Sequence, residues 1–575
     1  MRRQRLLLLI TVLTPLLLLG AAELALRATG IGQREPLFVP VAKAPGYLQP
    51  NPAAIQRFFP DPRRAPDVSI DTTWFPARKA PGTLRIFVQG ESSAAGFPYG
   101  RWASPAALLQ QRLQRAYPDR NVEVINTAMA AVTSYVLLDF ADEIIAQHPD
   151  AIVIYSGHNE YLGVGGVGSS LVSAKSPTMA RAVAVLRHSH VYRALEKVVS
   201  SVSPAAESIS ERNGTLMARV ARERSIPLDS PLYRQGLEQF RGNLDRLLRK
   251  YRAAGVPVFI GTLASNERDQ PPFVSSPTAS VGSSAAQRYA HARALDGEGR
   301  YDEARAEYVA AKDRDELRFR APESFNTLIR ELAAADGGAL VDVHGALAAA
   351  ARNGIIGSDL MLEHVHPNVE GYFRLATAYY PAITAWLGTP QVAIDDATAR
   401  RDMPLTEIDR LYGEYSIAVL KNDWPFVPAH QPTHFPAAAN RIEEIAQARF
   451  VGQLSWAAAM NEALAEYQRA NNGAEAARVA TNLADAFVTS ADAQYVAGQL
   501  LLRADDANRG MHYLRRAIKI DAGRIEYQLS LAQAQFMLGR PADSIATLEA
   551  ILKHHPGESR AQHWLDEMRR RSPTG

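Results

Sequence analysis

Five short apolar segments alternate with amphipathic stretches over residues 84–388, and this alternation restricts the fold more than any other feature of the sequence. The segments are rich in Val, Ile, Leu and Phe, as in strands that are buried on both faces of a parallel sheet. Strands that alternate with helices predict a parallel β-sheet covered by helices, closed by a final helix at about residues 370–387. The predicted strands are 84–89, 122–126, 151–156, 256–262 and 339–343.

A serine follows the first predicted strand. Gly90 ends that strand, and Glu91, Ser92 and Ser93 lead into small residues that suit the start of a helix. A strand, a tight turn and a helix place Ser92 at the carboxyl end of the sheet, where open α/β folds bind their ligands. The free N–H groups of a helix start also point at developing negative charge. The position suits a nucleophile, although most serines in such a sequence cap helices.

Three more polar blocks lie at the ends of predicted strands. The second strand runs into residues 126–131, the third into residues 155–160, and residues 362–368 lie after the fifth strand, before the closing helix. Because the carboxyl ends of parallel strands meet at one edge of the sheet, these blocks are expected to share a cleft with the serine.

The residue types in these blocks suit nucleophilic catalysis. A serine hydroxyl needs a base to take its proton, and His366 is the candidate. Glu363, three residues earlier, is the candidate for the group that orients the imidazole. The backbone N–H groups of Ser92 and Ala131 and the side-chain amide of Asn159 are the candidate oxyanion donors. One such donor typically lowers the barrier by about 3–4 kcal/mol.

The four blocks resemble those of the SGNH, or GDSL-type, hydrolases. Their order and spacing carry the resemblance, which extends over about residues 84–388. It implies a flavodoxin-like three-layer α/β/α sandwich and hydrolysis or transfer of acyl groups without a metal or other cofactor. The matching residues are Gly90-Glu91-Ser92-Ser93, Ala131, Gly157-His158-Asn159-Glu160 and Glu363-His364-Val365-His366-Pro367.

Three residues depart from the family pattern. Glu91 and Glu363 stand where the family has aspartates, and Ala131 stands where it usually has a glycine. The longer Glu363 side chain is expected to reach the imidazole. A methyl group at residue 131 is compatible with the role of its N–H group if φ is negative.

Other histidines and a basic run lie near the predicted site. His158 and His364 are expected either to support the catalytic residues from behind or to lie at the rim, with a catalytic role as the alternative. His344, after a strand, is expected to be structural. No zinc-binding spacing such as H-E-x-x-H occurs, so a metal site is not expected. The run Arg318-Phe319-Arg320 suits either an anionic group of the substrate or a surface ion pair with Asp313 or Asp315.

The first 30 residues contain an apolar run. Arg2, Arg3 and Arg5 precede residues 6–22, which are about long enough for one bilayer crossing. The arginines favour the cytoplasm, so an inner-membrane, single-pass anchor with the bulk of the chain in the periplasm is predicted. The alternative is a cleaved signal peptide and a secreted protein, since Gly20-Ala21-Ala22 suits a peptidase.

The rest of the chain divides by composition. Residues 31–83 form a proline-rich spacer. Insertions at 163–235 and 284–316 interrupt the α/β pattern; the first begins with a glycine-rich rim loop, and the second has the spacing of one helix-turn-helix repeat. Residues 389–439 form a linker, and residues 440–575 are helical throughout.

The helical tail repeats every 34 residues. This period resembles tetratricopeptide repeats and predicts an all-α solenoid. Its concave face either holds a peptide or partner protein or packs on the catalytic domain. The matching positions are Gly498, Leu501, Gly510, Leu514 and Ala517 with Ala532, Gln535, Ser544, Leu548 and Ile551.

Composition narrows the function. The 575 residues include 63 basic and 60 acidic side chains, and this near-balance gives no reason to expect a nucleic-acid partner. The absence of cysteine excludes thiol catalysis and disulfides. The chain also resembles bacterial envelope proteins that join an anchored SGNH domain to tetratricopeptide repeats. This resemblance implies a serine ester hydrolase acting on acyl esters of a cell-envelope glycan or lipid. The alternatives are an O-acyltransferase or deacetylase of an envelope polysaccharide, and a non-catalytic scaffold for envelope assembly.

Overall fold

The structure is a computed structural model that describes residues 2–59, 65, 66, 68, 70–170, 183, 186–202, 216–276 and 284–571. Two sheets are present in these residues. The smaller is antiparallel and consists of β1 (Phe38–Pro40), β2 (Tyr47–Pro50) and β3 (Phe75–Pro76). It lies in the predicted spacer.

The larger sheet has five parallel strands, as the alternating pattern predicts. Their spatial order is β5-β4-β6-β7-β8, which is the flavodoxin-like order. The last two strands are shorter than predicted because the chain leaves the sheet earlier. The strands are β4 (Leu84–Gly90), β5 (Val122–Asn126), β6 (Ala151–Tyr155), β7 (Val258–Gly261) and β8 (Ala339–Val341).

Helices cover both faces of this sheet. The chain-order helices up to the end of the α/β unit are α1 (Arg2–Thr29), α2 (Ser92–Ala95), α3 (Pro105–Ala116), α4 (Ser134–Ile145), α5 (His190–Val202), α6 (Leu216–Val220), α7 (Pro231–Ala253), α8 (Ala285–Gly297), α9 (Tyr301–Arg314), α10 (Glu323–Asp336), α11 (Val343–Ala350) and α12 (Val369–Leu387). Helices α4, α7 and α10 pack together in one layer, and α3, α11 and α12 pack in the other. The expected three-layer sandwich is therefore confirmed.

The central strands of the larger sheet are buried along their whole length. Every residue of β4 and β6 is buried, including the polar Arg85 and Gln89. Arg85 pairs with Glu123 at 2.7 Å and donates to the carbonyl of Pro76 at 2.8 Å. Because a buried charge needs partners, this arginine links β4 to β5 and to the small sheet.

The second insertion forms one helical hairpin, α8 and α9, as its spacing predicts. The hairpin buries small and aromatic side chains between its helices and against Ile355. Its end supplies Lys312, which is buried near Glu267 and Glu323.

The N-terminal helix does not confirm the predicted anchor. In the part of the chain that the structure describes, no helix has both the length and the apolar character that crossing a membrane requires. Helix α1 also carries Glu23, which pairs with Arg27 at 2.8 Å and accepts hydrogen bonds from the N–H groups of His190 and Val191 at the start of α5. The predicted membrane contact through this helix and the single-pass inner-membrane localisation are therefore wrong.

The C-terminal region is all helical. Its helices are α13 (Asp396–Arg401), α14 (Glu407–Lys421), α15 (Arg441–Phe450), α16 (Trp456–Arg469), α17 (Gly473–Ala486), α18 (Ala491–Arg503), α19 (Ala507–Ile520), α20 (Ile525–Met537), α21 (Pro541–His554) and α22 (Ser559–Arg571). Consecutive helices from α15 to α22 pack against one another, as in the predicted solenoid. Gly498 and Gly510 lie at one crossing, where a Cβ atom on Gly498 would be 2.7 Å from Leu514.

The solenoid packs on the α/β unit. Trp102 stacks on Trp456 with ring centroids 5.5 Å apart, and Arg115 of α3 pairs with Asp506 at 3.0 Å. Part of the repeat surface is thus occupied within the chain, which is one of the two arrangements that the sequence predicts.

Asp409 connects α14 to the first repeat helices. It is fully buried and accepts hydrogen bonds from Arg449 at 2.8 Å, Trp456 at 3.1 Å and Thr406 at 2.6 Å. We expect Asp409→Ala to lower the free energy of unfolding by about 3 kcal/mol, because it leaves the Arg449 guanidinium without its partner. Calorimetric unfolding of the full chain measures this loss.

Glu407→Ala provides the control for this substitution. Glu407 pairs with Arg410 on the exposed face of the same helix, and such pairs contribute about 0–1 kcal/mol. Equal destabilisation by the two substitutions would show that Asp409 does not hold the junction.

Candidate active site

Ser92 lies where the sequence predicts it, at the carboxyl end of β4 and the first position of α2. Gly90 allows this turn: a Cβ atom there would lie 2.2 Å from the carbonyl oxygen of Tyr155. Gly96, with φ of +92°, ends the short helix. The serine side chain is half-buried and faces the edge of the sheet where the other blocks meet.

The structure brings Ser92, His366 and Glu363 together. The Nε2 atom of His366 lies 2.7 Å from the Oγ atom of Ser92, although the residues are 274 positions apart. The Nδ1 atom of the same ring bonds to Glu363 Oε1, which also accepts the backbone N–H of His366 at 2.9 Å. The extra methylene of glutamate is therefore accommodated by folding the side chain back onto its own turn.

Glu363 also holds a second imidazole. Its Oε2 atom accepts the backbone N–H of His364 at 2.6 Å and bonds to the Nδ1 atom of that ring. His364 is buried against Glu363, which agrees with the first of its two predicted positions and not with the rim. The spacing Glu-His-x-His could have predicted this contact, because it allows both imidazole rings and both backbone N–H groups to reach one carboxylate.

Burial sets the protonation of these rings. It lowers the pKa of His366 to about 3, so this imidazole is neutral at neutral pH and its Nε2 atom can accept a proton. Burial, with the positive charge of Arg320, lowers the pKa of His364 as well. Both Nδ1 atoms donate to Glu363, which leaves each Nε2 atom with its lone pair.

The loop that follows β5 carries Ala131 in the left-handed region, with φ of +57°. The negative φ that is the condition for a methyl group at this residue is therefore not present. The carbonyl of Ala131 accepts the N–H of Val164 at 2.7 Å, and Thr133 donates to the Val164 carbonyl at 2.7 Å. The start of the glycine-rich rim loop thus holds this turn.

Glu91 positions the block that contains Asn159. Its carboxyl group accepts hydrogen bonds from the hydroxyl of Ser156 at 2.9 Å, the N–H of Gly157 at 2.8 Å and the N–H of Asn159 at 3.0 Å. Burial raises the pKa of Glu91 to about 8. No protein group within the described ranges forms a hydrogen bond with the Asn159 side-chain amide, which leaves that amide available to a ligand.

The neighbouring Glu160 faces the helical layer. It accepts hydrogen bonds from the N–H and hydroxyl of Ser134 at 2.9 and 2.8 Å and from the amide of Gln239 at 2.7 Å. Burial raises its pKa to about 7. Glu91 and Glu160 therefore fix the two ends of the block that presents Asn159.

The basic run after the second insertion is interior. Arg320 pairs with Asp315 at 3.0 Å, as one of the predicted alternatives states, but both side chains are buried instead of lying on the surface. Arg318 donates to the carbonyl groups of Ile226 and Asp313. These contacts hold the segment whose Ala321 N–H donates to His158 Nδ1 at 3.2 Å. The run is thus structural.

Aromatic rings surround the two imidazoles. Phe97 lies 4.6 Å from His366, and Phe273 and Phe426 lie 5.5 and 5.6 Å from His364 between ring centroids. Phe426 belongs to the predicted linker, which sequence reasoning did not place at the site. Within the described residues, no group of three or more His, Asp or Glu side chains is arranged to hold a metal ion.

Ala131→Gly is expected to stabilise the protein by about 1 kcal/mol. An L-residue pays about 1–2 kcal/mol in the left-handed region, and glycine avoids this strain while keeping the N–H group. Ala128→Gly, at a buried position three residues earlier whose φ is not positive, should instead destabilise. Thermal unfolding of both variants measures the difference; a lower melting temperature for Ala131→Gly would contradict the left-handed turn.

Comparisons with known proteins agree with this architecture. Residues 88–374 match the GDSL-like Lipase/Acylhydrolase family, and residues 501–564 match a tetratricopeptide repeat, a class that suggests protein interaction. No curated protein matches the chain.

Several solved structures are similar to about half of this chain. A lipase/acylhydrolase from Enterococcus faecalis is 16% identical, with 54% of this chain and 100% of that chain covered and a TM-score of 0.28. A psychrotrophic esterase from Pseudoalteromonas sp. is 14% identical, with 53% and 98% covered and a TM-score of 0.26. An acetylxylan esterase from Geobacillus stearothermophilus is 13% identical, with 52% and 95% covered and a TM-score of 0.28.

The low identities and TM-scores carry no conclusion about substrate. The family match agrees with the parallel sheet, its flanking helices and the helical tail. The chain therefore contains a GDSL-like lipase/acylhydrolase domain followed by a tetratricopeptide repeat region.

Proposed function

We propose that this protein is a serine ester hydrolase that acts on acyl esters through an acyl-serine intermediate. The observation that carries the proposal is the 2.7 Å contact between His366 Nε2 and Ser92 Oγ, with Glu363 on the other side of the ring. A neutral imidazole between a hydroxyl and a carboxylate is the arrangement that activates a serine.

The first step transfers the acyl group to the enzyme. The Ser92 oxygen attacks the ester carbonyl carbon while His366 Nε2 takes the hydroxyl proton, and Glu363 stabilises the resulting cation. The N–H groups of Ser92 and Ala131 and the amide of Asn159 hold the oxyanion. When the intermediate collapses, His366 gives its proton to the departing alcohol.

The second step releases the acyl group. Water attacks the acyl-Ser92 carbonyl and gives a proton to His366. The tetrahedral intermediate then collapses to a carboxylic acid, and His366 returns the proton to the departing Ser92 oxygen, which restores the free enzyme. If a sugar hydroxyl replaces water, the same residues perform O-acyl transfer. If neither water nor a sugar hydroxyl accepts an acyl group, the third candidate applies, in which the domain is a non-catalytic scaffold for envelope assembly.

Hydrolysis of a chromogenic short-chain acyl ester by the full chain tests the proposal. Ser92→Ala and His366→Ala are each expected to lower kcat by about 10³-fold or more, because each removes a member of a unit that acts together. Ser416→Ala is the matched control: its hydroxyl donates to the Tyr412 carbonyl at 2.8 Å within α14 and has no part in the steps above.

The outcomes separate the candidates. Turnover that survives Ser92→Ala contradicts the proposal. Slow hydrolysis with faster Ser92-dependent transfer to an oligosaccharide identifies a transferase. Absence of both reactions in the unmodified protein favours the scaffold.

The shared carboxylate predicts an unusual pH profile. His366 must be neutral to accept the serine proton, and burial lowers its pKa to about 3, so kcat/KM should stay high well below pH 6.5 and fall only as the pH approaches that pKa. His364→Phe removes one donor from Glu363, which strengthens the attraction between this carboxylate and the His366 cation. The pKa of His366 then rises, and the acid limb should move to higher pH by about one unit.

Phe273→Leu is the control for His364→Phe. Phe273 contacts the His364 ring but has no hydrogen bond to Glu363, so the substitution changes packing alone. An acid limb that moves equally in both variants, or that moves to lower pH in His364→Phe, would contradict the shared-carboxylate account.

A further inference from the structure

A groove separates the α/β unit from the repeat helices. It consists of two adjoining cavities of about 450 and 300 Å³, which lie between α3 and the start of β5 on one side and α19 on the other. Its lining includes Thr83 and Asn121, which precede β4 and β5, whereas Ser92 follows β4. The groove is therefore at the amino ends of the strands, opposite to the candidate active site.

The larger cavity is strongly basic. Its lining has six arginine or lysine side chains and two aspartates. Arg516 pairs with Asp485 at 2.9 Å, while Arg115 and Arg509 pair with other aspartates. The remaining cations are Arg120, Arg515 and Lys519, and none has a carboxylate partner among the residues that the structure describes.

Two of these free cations belong to one face of α19. Arg515 and Lys519 are four residues apart, so their side chains lie one turn apart above the groove. Arg120 stands on the opposite wall. Burial, with Arg516 and Arg509, lowers the pKa of His512 on the same helix, as expected in a positive environment. An anionic ligand would be attracted by both walls.

The smaller cavity adds aromatic surface. Trp74 and Tyr47 are half-buried in its lining, beside Arg101 and the shared Lys519. Aromatic rings give apolar contact to a ligand that is otherwise polar, such as the C–H face of a sugar ring. The groove thus combines aromatic faces at one end with free cations at the other.

The floor of the groove does not suit an extended peptide. Strand β5 is an edge strand, and its outward N–H groups at Val122 and Val124 are already bonded to Gln114 at 3.1 Å and Gln110 at 2.6 Å. A peptide that adds to a sheet edge needs these groups free. The amide groups of the same glutamines donate to the carbonyls of Val122 and Arg120, so both glutamines are held against the backbone.

We infer that this groove binds a segment of an acidic polysaccharide. Carboxylates of the glycan lie against Arg120, Arg515 and Lys519, and a sugar ring packs on Trp74 and Tyr47. The inference goes beyond the proposed ester hydrolysis, since the groove contains none of the residues of that reaction.

Binding of polygalacturonate to the full chain, measured by titration calorimetry, tests the inference. We expect binding that weakens as salt is added, and no binding of neutral dextran. Arg515→Glu with Lys519→Glu should weaken binding about tenfold or more, because two attractive charges become repulsive. Trp74→Ala should weaken it without changing the salt dependence.

Lys553→Glu with Arg570→Glu makes the same charge change on α21 and α22, outside the groove, and should leave binding unchanged. Thermal unfolding shows whether each variant is folded. Because the experiment measures binding directly, its result does not depend on ester hydrolysis. Absence of polygalacturonate binding, equal weakening in the two double variants, or equally tight binding of polyglutamate would overturn the inference. The last result would instead identify a site for acidic polypeptides.

Discussion

The Glu363 carboxylate is the constraint on which the candidate site depends. It accepts two backbone N–H groups and two imidazole Nδ1 atoms, all from the three residues that follow it. In water, solvent molecules would satisfy a carboxylate. Glu363 is buried, so protein donors must replace that solvent, and all four come from one turn. The turn therefore folds around its own side chain, and Ser93 fixes it to α2 through the Val365 carbonyl. Ser92 and His366 meet because these two short segments are held together.

The same burial decides which groups carry charge. Glu91 and Glu160 lie inside the domain with hydrogen-bond donors directed at them, yet burial raises their pKa values to about 8 and 7. It lowers the pKa of His158 and of His366 to about 3. At neutral pH the two imidazoles are therefore uncharged and Glu91 is mostly protonated, so the Glu363 carboxylate is the charged group that faces His366. Fixed N–H donors in such a site stabilise an oxyanion, because they need no reorganisation when the charge develops.

Sequence patterns predicted the parts of the molecule that depend on local periodicity and on short spacing. The strands follow from apolar runs, and Ser92, His366 and Glu363 follow from polar blocks at strand ends. Three features could not be predicted from sequence patterns, because each depends on contacts between distant parts of the chain. The positive φ of Ala131 depends on the rim loop that bonds to its carbonyl, and the place of Phe426 depends on where the linker folds back. The apolar run near the N-terminus predicted an anchor from its composition, but the sequence did not show that Glu23 joins this helix to α5.

The position of the repeat region follows from the edges of the sheet. One edge, β8, has only three residues, and so offers little to another strand. The other edge, β5, is longer, and Gln110 and Gln114 of α3 cap its N–H groups while α19 stands across the groove. The solenoid covers this edge without contacting it along its whole length. Cavities therefore remain between the solenoid and the edge of the sheet. The packing that protects the edge strand therefore also creates the basic groove, and the repeat helix α19 contributes one of its walls.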